Sequence, residues 1–354
     1  MIDFFIKVKQ QEKQNLPFVI YSKPNKNILE GYFQKDDHLY FAENFNESGF
    51  IFAPFDGNQT VLIPKNKSHK WKAILNPADE ISYTETIDNK IDLKEKEHFK
   101  ALVQKGIHAI SIGDFSKVVV SRQEMTDLKN IEITSIFEKL VFTYPTAFTY
   151  CWFHPKIGLW MGATPEPLLK ARNKKFLTTA LAGTQVYKKT KAATWENKEI
   201  EEQRFVTSYI VDNLKAIASE VTISSPYTVK AGNLLHIKTD IEGELNKNST
   251  LKEIVEALHP TPAVCGLPEM IAKKFIIENE NYDRTYYSGF LGELNKKSRN
   301  KKKLKSNLYV NLRCMQIKEK KAIIYMGCGI TKDSNPEKEW EESVNKSMTM
   351  KKIL

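Results

Sequence analysis

Over most of the first 90 residues, apolar positions alternate with polar ones or gather in short blocks. Blocks at 18–21, 31–33, 39–41, 49–52 and 60–63 are broken by PNKN, KDD and DGN, a pattern that predicts strands joined by tight turns. From Leu93 the period lengthens. Charged and apolar residues follow a helical repeat to about Ile110, and the chain then enters the strand KVVVSR at 117–122. A second helix is expected over 130–142, followed by strands at 148–153 and 159–161. In GATPEPLL, Pro165 and Pro167 predict a rigid turn that holds Glu166 between them. A strand pair broken at 173–175 ends in ALAGTQ, the stretch 195–219 is strongly helical, and 229–238 with 242–245 returns to strand. Helices at 251–258 and 268–278 bracket the loop HPTPAVCGLP. Strands at 286–294, 308–317 and 322–326 lead into a last helix. No internal repeat is present, and mixed elements with long connections predict an α/β (α+β) chain built as a large sandwich.

The stretch from Ile323 to Lys346, IIYMGCGITKDSNPEKEWEESVNK, concentrates the candidate chemistry. After an apolar strand, Gly327 and Gly329 flank Cys328 in what reads as a turn, where bare backbone can approach an anion closely. Ser334 or Asn335 can cap the helix that follows, with Pro336 in its first turn and acidic residues at its positive end. At about 3.6 residues per turn, Glu339, Glu342 and Lys346 share one face while Trp340, Val344 and Met348 point to a core. Two carboxylates and an ammonium on one stripe can hold a divalent metal beside an anionic substrate. Taken alone, they fit a solvated face with local ion pairs better.

Composition narrows the field. A chain of 354 residues, 41% hydrophobic, can bury a large core as one domain or two. The N-terminus lacks the apolar core of a signal peptide and no run approaches about 18 apolar residues, so a soluble cytoplasmic protein without a membrane span is expected. Cys151, Cys265, Cys314 and Cys328 lack metal or redox spacing and are expected to be reduced and packed. The formal charge of +10 raises the question of nucleic acid. Most of the excess is scattered lysine, and the dense run KKSRNKKKLKS at 296–306 has no interleaved aromatics for base stacking. It reads as a solvated, mobile hairpin loop, and no nucleic-acid partner is expected.

Taken together and in order, KVVVSR, GATPE, ALAGT, KEIEEQRFV, LHPTPAVCGLP, RTYYSGFLGEL, LRC and GCGI with S-x-P-x-x-E-x-x-E-x-x-x-K resemble the chorismate-binding enzymes. That family holds isochorismate synthase, salicylate synthase, anthranilate synthase component I and aminodeoxychorismate synthase component I. The resemblance runs from about residue 100 to the end. It implies a large two-layer β-sheet sandwich with surrounding helices, a catalytic domain over 91–354 with a β-rich N-terminal part, 1–90, packed on it, and chorismate and Mg²⁺ bound between the layers. By resemblance, Glu202 and Glu342 are direct metal ligands, with Glu199 and Glu339 one turn back and acting through water. Four facing carboxylates repel one another without a cation, and hard oxygen ligands suit Mg²⁺. Arg313, in YVNLRCMQ, matches the family arginine that grips the enolpyruvyl carboxylate, with Tyr286 or Tyr287 as a neighbour. The amides of Gly327 and Gly329, with Lys346, are the expected remaining donors. Gly183 and Thr184 of ALAGT join the substrate-binding set. His236, in LLHIKT, matches a histidine near the substrate hydroxyl, although a satisfied core histidine fits as well.

Glu166 and Lys117 bear on the reaction. A carboxyl group between prolines can act as general acid toward the leaving C4 hydroxyl if its surroundings keep it protonated. Lys117 matches the lysine that activates water for attack at C2 in isochorismate and salicylate synthases. The anthranilate synthases typically carry Gln there, and the aminodeoxychorismate enzymes carry a lysine where Ala182 stands. Both departures point to water as the nucleophile. The resemblance therefore implies a Mg²⁺-dependent isochorismate synthase serving menaquinone or siderophore biosynthesis, with no obligatory glutamine amidotransferase subunit. Salicylate synthase, which goes on to eliminate pyruvate, is the alternative. Ala263 and Val264 in the pocket loop resemble the isochorismate synthases slightly more.

Overall fold

The structure is a computed structural model, and it describes residues 1–57, 59–76, 92–128, 132–187, 194–231, 234–297 and 303–354. In chain order the elements are α1 (Ile2–Lys13), β1 (Phe18–Ser22), β2 (Ile28–Gln34), β3 (Tyr40–Phe41), β4 (Gly49–Ala53), β5 (Val61–Pro64), β6 (Ser68–Ile74), α2 (Leu93–Ser111), β7 (Lys117–Asp127), α3 (Ile133–Thr143), β8 (Phe148–His154), β9 (Gly158–Thr164) and β10 (Pro167–Arg172). There follow β11 (Lys175–Val186), α4 (Asn197–Leu214), β12 (Ala218–Ile223), β13 (Tyr227–Ala231), β14 (Leu234–Leu245), α5 (Leu251–Leu258), β15 (Gly266–Leu267), α6 (Glu269–Asn279), β16 (Phe290–Lys297), β17 (Leu304–Val310), β18 (Cys314–Lys318), β19 (Lys321–Ile330) and α7 (Pro336–Lys351).

Strands buried on both faces read as near-continuous apolar runs, and β1 and β8 are of this kind. They lie in a nine-stranded antiparallel sheet of order β15-β7-β19-β18-β9-β8-β1-β2-β6. A ten-stranded sheet, β12-β14-β11-β10-β17-β16-β4-β5-β3 with β13 on β14, packs against it. Tyr21, Phe52, Phe148, Tyr150, Trp152, Trp160, Tyr309 and Tyr325 fill the space between the two sheets. On the outer faces, α1 and α3 cover one end of the nine-stranded sheet, α2, α6 and α7 cover the end at β7 and β19, and α4 and α5 cover the ten-stranded sheet. This is the expected two-layer sandwich.

Several local expectations are corrected. The first residues form a helix, where strands and turns are expected over the first 90, because Phe4, Val8 and Gln11 share one buried face and the Gln11 amide donates to the Pro17 carbonyl at 3.1 Å. β6 escapes the apolar pattern because it is an edge strand with mostly exposed side chains. The first 74 residues supply strands to both sheets, β1, β2 and β6 to one and β3, β4 and β5 to the other. The run read as one strand over 308–317 is two strands in different sheets, β17 and β18, and Asn311–Leu312–Arg313 carry the chain across. The connection from β9 to β10 crosses in the same place, through Pro165 and Glu166. The two crossings are tied together: Val310 N donates to Glu166 O (3.0 Å), Ala163 N to Arg313 O (2.9 Å) and Thr164 Oγ1 to Val310 O (2.6 Å).

Between β1, β2 and β16 lies a buried charge cluster. Glu293 pairs with Lys23 and Lys296 and accepts from Tyr21 Oη at 2.6 Å, while Glu30 is ringed by Lys23, Lys70, Lys72 and Lys296. Lys296, the first residue of the basic run, is thus held internally. Residues 298–302 of that run lie outside the described residues, and β16 and β17 pair on either side of them (Lys297 opposite Leu304). Burial raises the Glu30 carboxyl, but the Lys296 hydrogen bond and the surrounding lysines outweigh it and hold it at about 2. A depressed carboxylate stabilises the fold above its unfolded pKa and loses that contribution as pH falls from about 4.5 toward 2. Glu30→Gln should therefore lower Tm at neutral pH and flatten its fall across that acid window, as read by circular dichroism melts.

Candidate active site

The paired crossings place Glu166 and Arg313 together, and β7, β19 and two helices bring charges around them. Glu166 is partly open to solvent but enclosed on most sides. Burial pushes its carboxyl up to about 7, against the pull of Lys117, Arg313 and Lys346. Arg313 has left-handed backbone (φ 46°), a conformation that tertiary contacts must hold in place. Burial lowers its guanidinium pKa, and Tyr287, Cys328, Glu342 and Glu166 counter that.

Lys117 opens β7, and its Nζ lies 2.8 Å from Glu202 Oε1 on α4. The candidate base and a candidate metal ligand are therefore in contact. Facing them in β19, Gly327 and Gly329 stand opposite Ser121 and Val119. They lie in a strand and not in a turn, because the ladder with β7 continues through Ile330, so the expected nest of turn amides is corrected to a bare strand wall. A Cβ on Gly327 would come within 2.9 Å of Tyr287 Oη, and one on Gly329 within 3.3 Å of Lys117 Cε. The Gly327 carbonyl accepts a hydrogen bond from Lys346 Nζ at 2.8 Å, and Lys346 also pairs with Glu342 one turn back on α7.

Three contacts fix α7 on the sheet. Asn335 Oδ1 caps it by accepting from Glu337 N and Lys338 N at 3.0 and 3.1 Å. Arg122 Nε donates to Ser343 Oγ at 2.8 Å with its guanidinium 4.3 Å from the centre of the Trp340 ring, and the Cys328 thiol donates to Glu339 O at 3.3 Å. Ligand atoms of Cys328, Glu339 and Glu342 lie within 4.8 Å of one another. Burial raises the Cys328 thiol to about 12, which leaves the two carboxylates as the charged donors of that group. All four cysteines are free and buried.

On the ten-stranded sheet, Glu199 is the third residue of α4 and closes a capping box, its carboxylate accepting from Glu196 N at 3.1 Å. Gly183 forms a bulge in β11 with φ 68°, and a Cβ there would lie 3.1 Å from Glu199 Cβ, so glycine lets the start of α4 sit close to the strand. Its carbonyl meets His236 Nδ1 at 3.0 Å. Burial lowers the His236 imidazole pKa, and Arg313, Lys346 and Glu342 act on the same ring. Thr184 pairs with His236 in the ladder, and its side chain lies outside what the structure describes. Tyr286 stacks on Phe52 with ring centres 4.3 Å apart, whereas Tyr287 reaches Gly327 and Arg313. The structure thus sets Lys117, Glu166, Arg313, Lys346, Glu342 and His236 in one field, selects Tyr287 over Tyr286 as the neighbour of Arg313, and adds Cys328. Cys328 had no sequence signal as a site residue beyond its place between Gly327 and Gly329.

A carboxyl group raised by burial, a lysine, an arginine and a pair of neighbouring carboxylates thus share one electrostatic field. Residues 57–354 match the chorismate binding enzyme family, and the chain belongs to that family. It is 27% identical to the isochorismate synthase EntC of Escherichia coli strain K12 over 275 residues, 74% of this chain and 68% of that one. It is 26% identical to anthranilate synthase component 1 of Aquifex aeolicus over 273 residues, 73% of this chain and 53% of that one. The structure of MenF, the menaquinone-specific isochorismate synthase of Escherichia coli, superposes with a TM-score of 0.80 at 20% identity, covering 96% of this chain and 88% of that one. Overall identity thus separates the isochorismate synthase from the anthranilate synthase component poorly, and the choice falls to site residues. Among the described residues, no helix is long and apolar enough to cross a membrane.

Proposed function

We propose that this protein is an isochorismate synthase, which adds water at C2 of chorismate as the C4 hydroxyl leaves. The observation that carries the reading is Lys117 and Glu166 in one electrostatic site beside Arg313. Lys117 accepts a proton from the attacking water, and Glu166, with its carboxyl at about 7, donates one to the departing hydroxyl. Lys117 and Ala182 stand where amine-adding relatives carry other residues, which favours water. Arg313 takes one substrate carboxylate, with Lys346 and the Tyr287 hydroxyl beside it.

The hard carboxylates of Glu342 and Glu339 on α7 fit Mg²⁺, and by the family resemblance Glu202 and Glu199 on α4 complete the set. When bound, the ion supplies positive charge for the second carboxylate. With water as nucleophile, no amidotransferase subunit is needed, and the enzyme works in the cytoplasm. Menaquinone or siderophore synthesis is the use of the product.

Chromatography of a reaction with chorismate and Mg²⁺ should show isochorismate. Pyruvate released in step with chorismate loss, read by coupled lactate dehydrogenase, would instead make the protein a salicylate synthase. The acid also gives a pH signature. Glu166 must be protonated to act, so its contribution to kcat/KM should be full below about 7 and be lost as pH rises through it. Glu166→Gln should remove that limb and most of the activity, and an unchanged pH profile would count against Glu166 as the acid.

A further inference from the structure

A strand that loses its neighbour leaves backbone N–H and C=O groups that must find other partners. This happens early in β7. β15 pairs only with Lys117 and Val118, and Val119 N donates to Cys265 O at 2.8 Å. Beyond that point two side chains replace a strand. Arg284 Nη2 donates to Val119 O at 2.7 Å, and Glu280 Oε1 accepts from Ser121 N at 2.7 Å and from Ser121 Oγ at 2.8 Å.

The two side chains are also a closed pair, with Arg284 Nε to Glu280 Oε2 at 2.8 Å and Nη2 to Oε1 at 2.6 Å, and their side chains are only 2% and 1% exposed. Arg284 Nη1 reaches across to Val264 O at 2.9 Å, in the 259–266 loop. The Arg284 carbonyl accepts from Tyr287 N at 2.8 Å, and its guanidinium lies 4.6 Å from the centre of the Phe55 ring. One arginine therefore joins the strand that carries Lys117, the 259–266 loop beside it and the turn that presents Tyr287 to Gly327. A buried ion pair is a poor stability device, since an apolar pair of similar shape often stabilises as well. The planar fork instead fixes directions, which a lysine cannot do.

We propose that Arg284 and Glu280 are positioning residues for the reaction: standing in for an absent edge strand, they hold the Lys117 strand, the 259–266 loop and Tyr287 in register. Neither touches the reacting atoms, and the proposal rests on the isochorismate synthase reading. Misplacing a reacting group by about 1 Å can cost about 10²-fold in rate. Arg284→Lys should therefore lower kcat per folded molecule by about 10- to 10²-fold while KM for chorismate moves less than about 3-fold, because the groups that grip the carboxylates are untouched. The double variant Glu280→Leu with Arg284→Met should fold and show the same split. Both are checked by circular dichroism and by kinetics normalised to folded protein.

Wild-type kcat in either folded variant, or a rise in KM that accounts for the whole loss, would overturn the proposal. So would failure of both to fold, which would make the pair a stability element. A wild-type protein inert toward chorismate would overturn the functional reading and this proposal with it, whereas wild-type turnover with an unaffected Arg284→Lys would overturn this proposal alone.

Discussion

Lys117→Gln should cut kcat for isochorismate formation by about 10²–10⁴-fold, the usual worth of general base catalysis, while chorismate still binds. Glutamine keeps similar bulk and can still donate to Glu202, which sits 2.8 Å from Lys117 Nζ. It cannot take a proton from water. Binding should survive because the substrate carboxylates fall to Arg313, Lys346 and the Mg²⁺ that the acidic helices would hold. High ammonium at high pH should partly restore turnover in this variant with an aminated product, since ammonia brings its own lone pair. Stopped chorismate consumption with an unchanged Kd, measured by fluorescence or calorimetry, is the expected result. Near wild-type kcat, or a loss of affinity in proportion to activity, would remove Lys117 from the role of base.

Glu342→Gln should be equally severe for a different reason. Glu342 pairs with Lys346, lies near Glu339 and Cys328, and contributes to the field at Arg313 and His236. Removing its charge would weaken the proposed cation site and free Lys346 at once, so turnover should almost vanish. Glu202→Gln should do the same from the α4 side. Mg²⁺ titration followed by calorimetry separates this from misfolding: the variants should melt near wild type, within the scatter expected for a partly exposed substitution, yet show no saturable Mg²⁺ binding. Full activity in EDTA, or normal turnover of Glu342→Gln at low Mg²⁺, would contradict the metal assignment.

How far the sequence could be read depended on whether local signals agreed with long-range ones. α5 was legible to the residue because Thr250 and Glu253 form a capping box around an apolar face. In α7 the stripe of Glu339, Glu342 and Lys346 followed from helical spacing once Trp340 was taken as buried. The crossing at Arg313 was not legible, since an apolar run looks the same whether it stays in one sheet or passes between two. For the same reason the Gly327 and Gly329 strand passed for a turn: glycine marks close approach as readily as it marks a bend. Tyr287 could not be told from Tyr286, because neighbouring residues in an irregular segment have no fixed faces. Arg284 and Glu280 stand at i, i+4 with nothing in the sequence to mark them as buried, and only the missing edge of β7 gives them a task.

The central claim is that water becomes the C2 hydroxyl of the product, and isotope labelling tests it most directly. Wild-type protein with chorismate and Mg²⁺ in ¹⁸O-enriched water should yield isochorismate carrying heavy oxygen at the C2 hydroxyl, located by mass spectrometry of fragments, with the ring and enolpyruvyl carboxylates unlabelled. Product formed without label at C2 would mean that the hydroxyl moves within the substrate, and Lys117 would then have no water to activate.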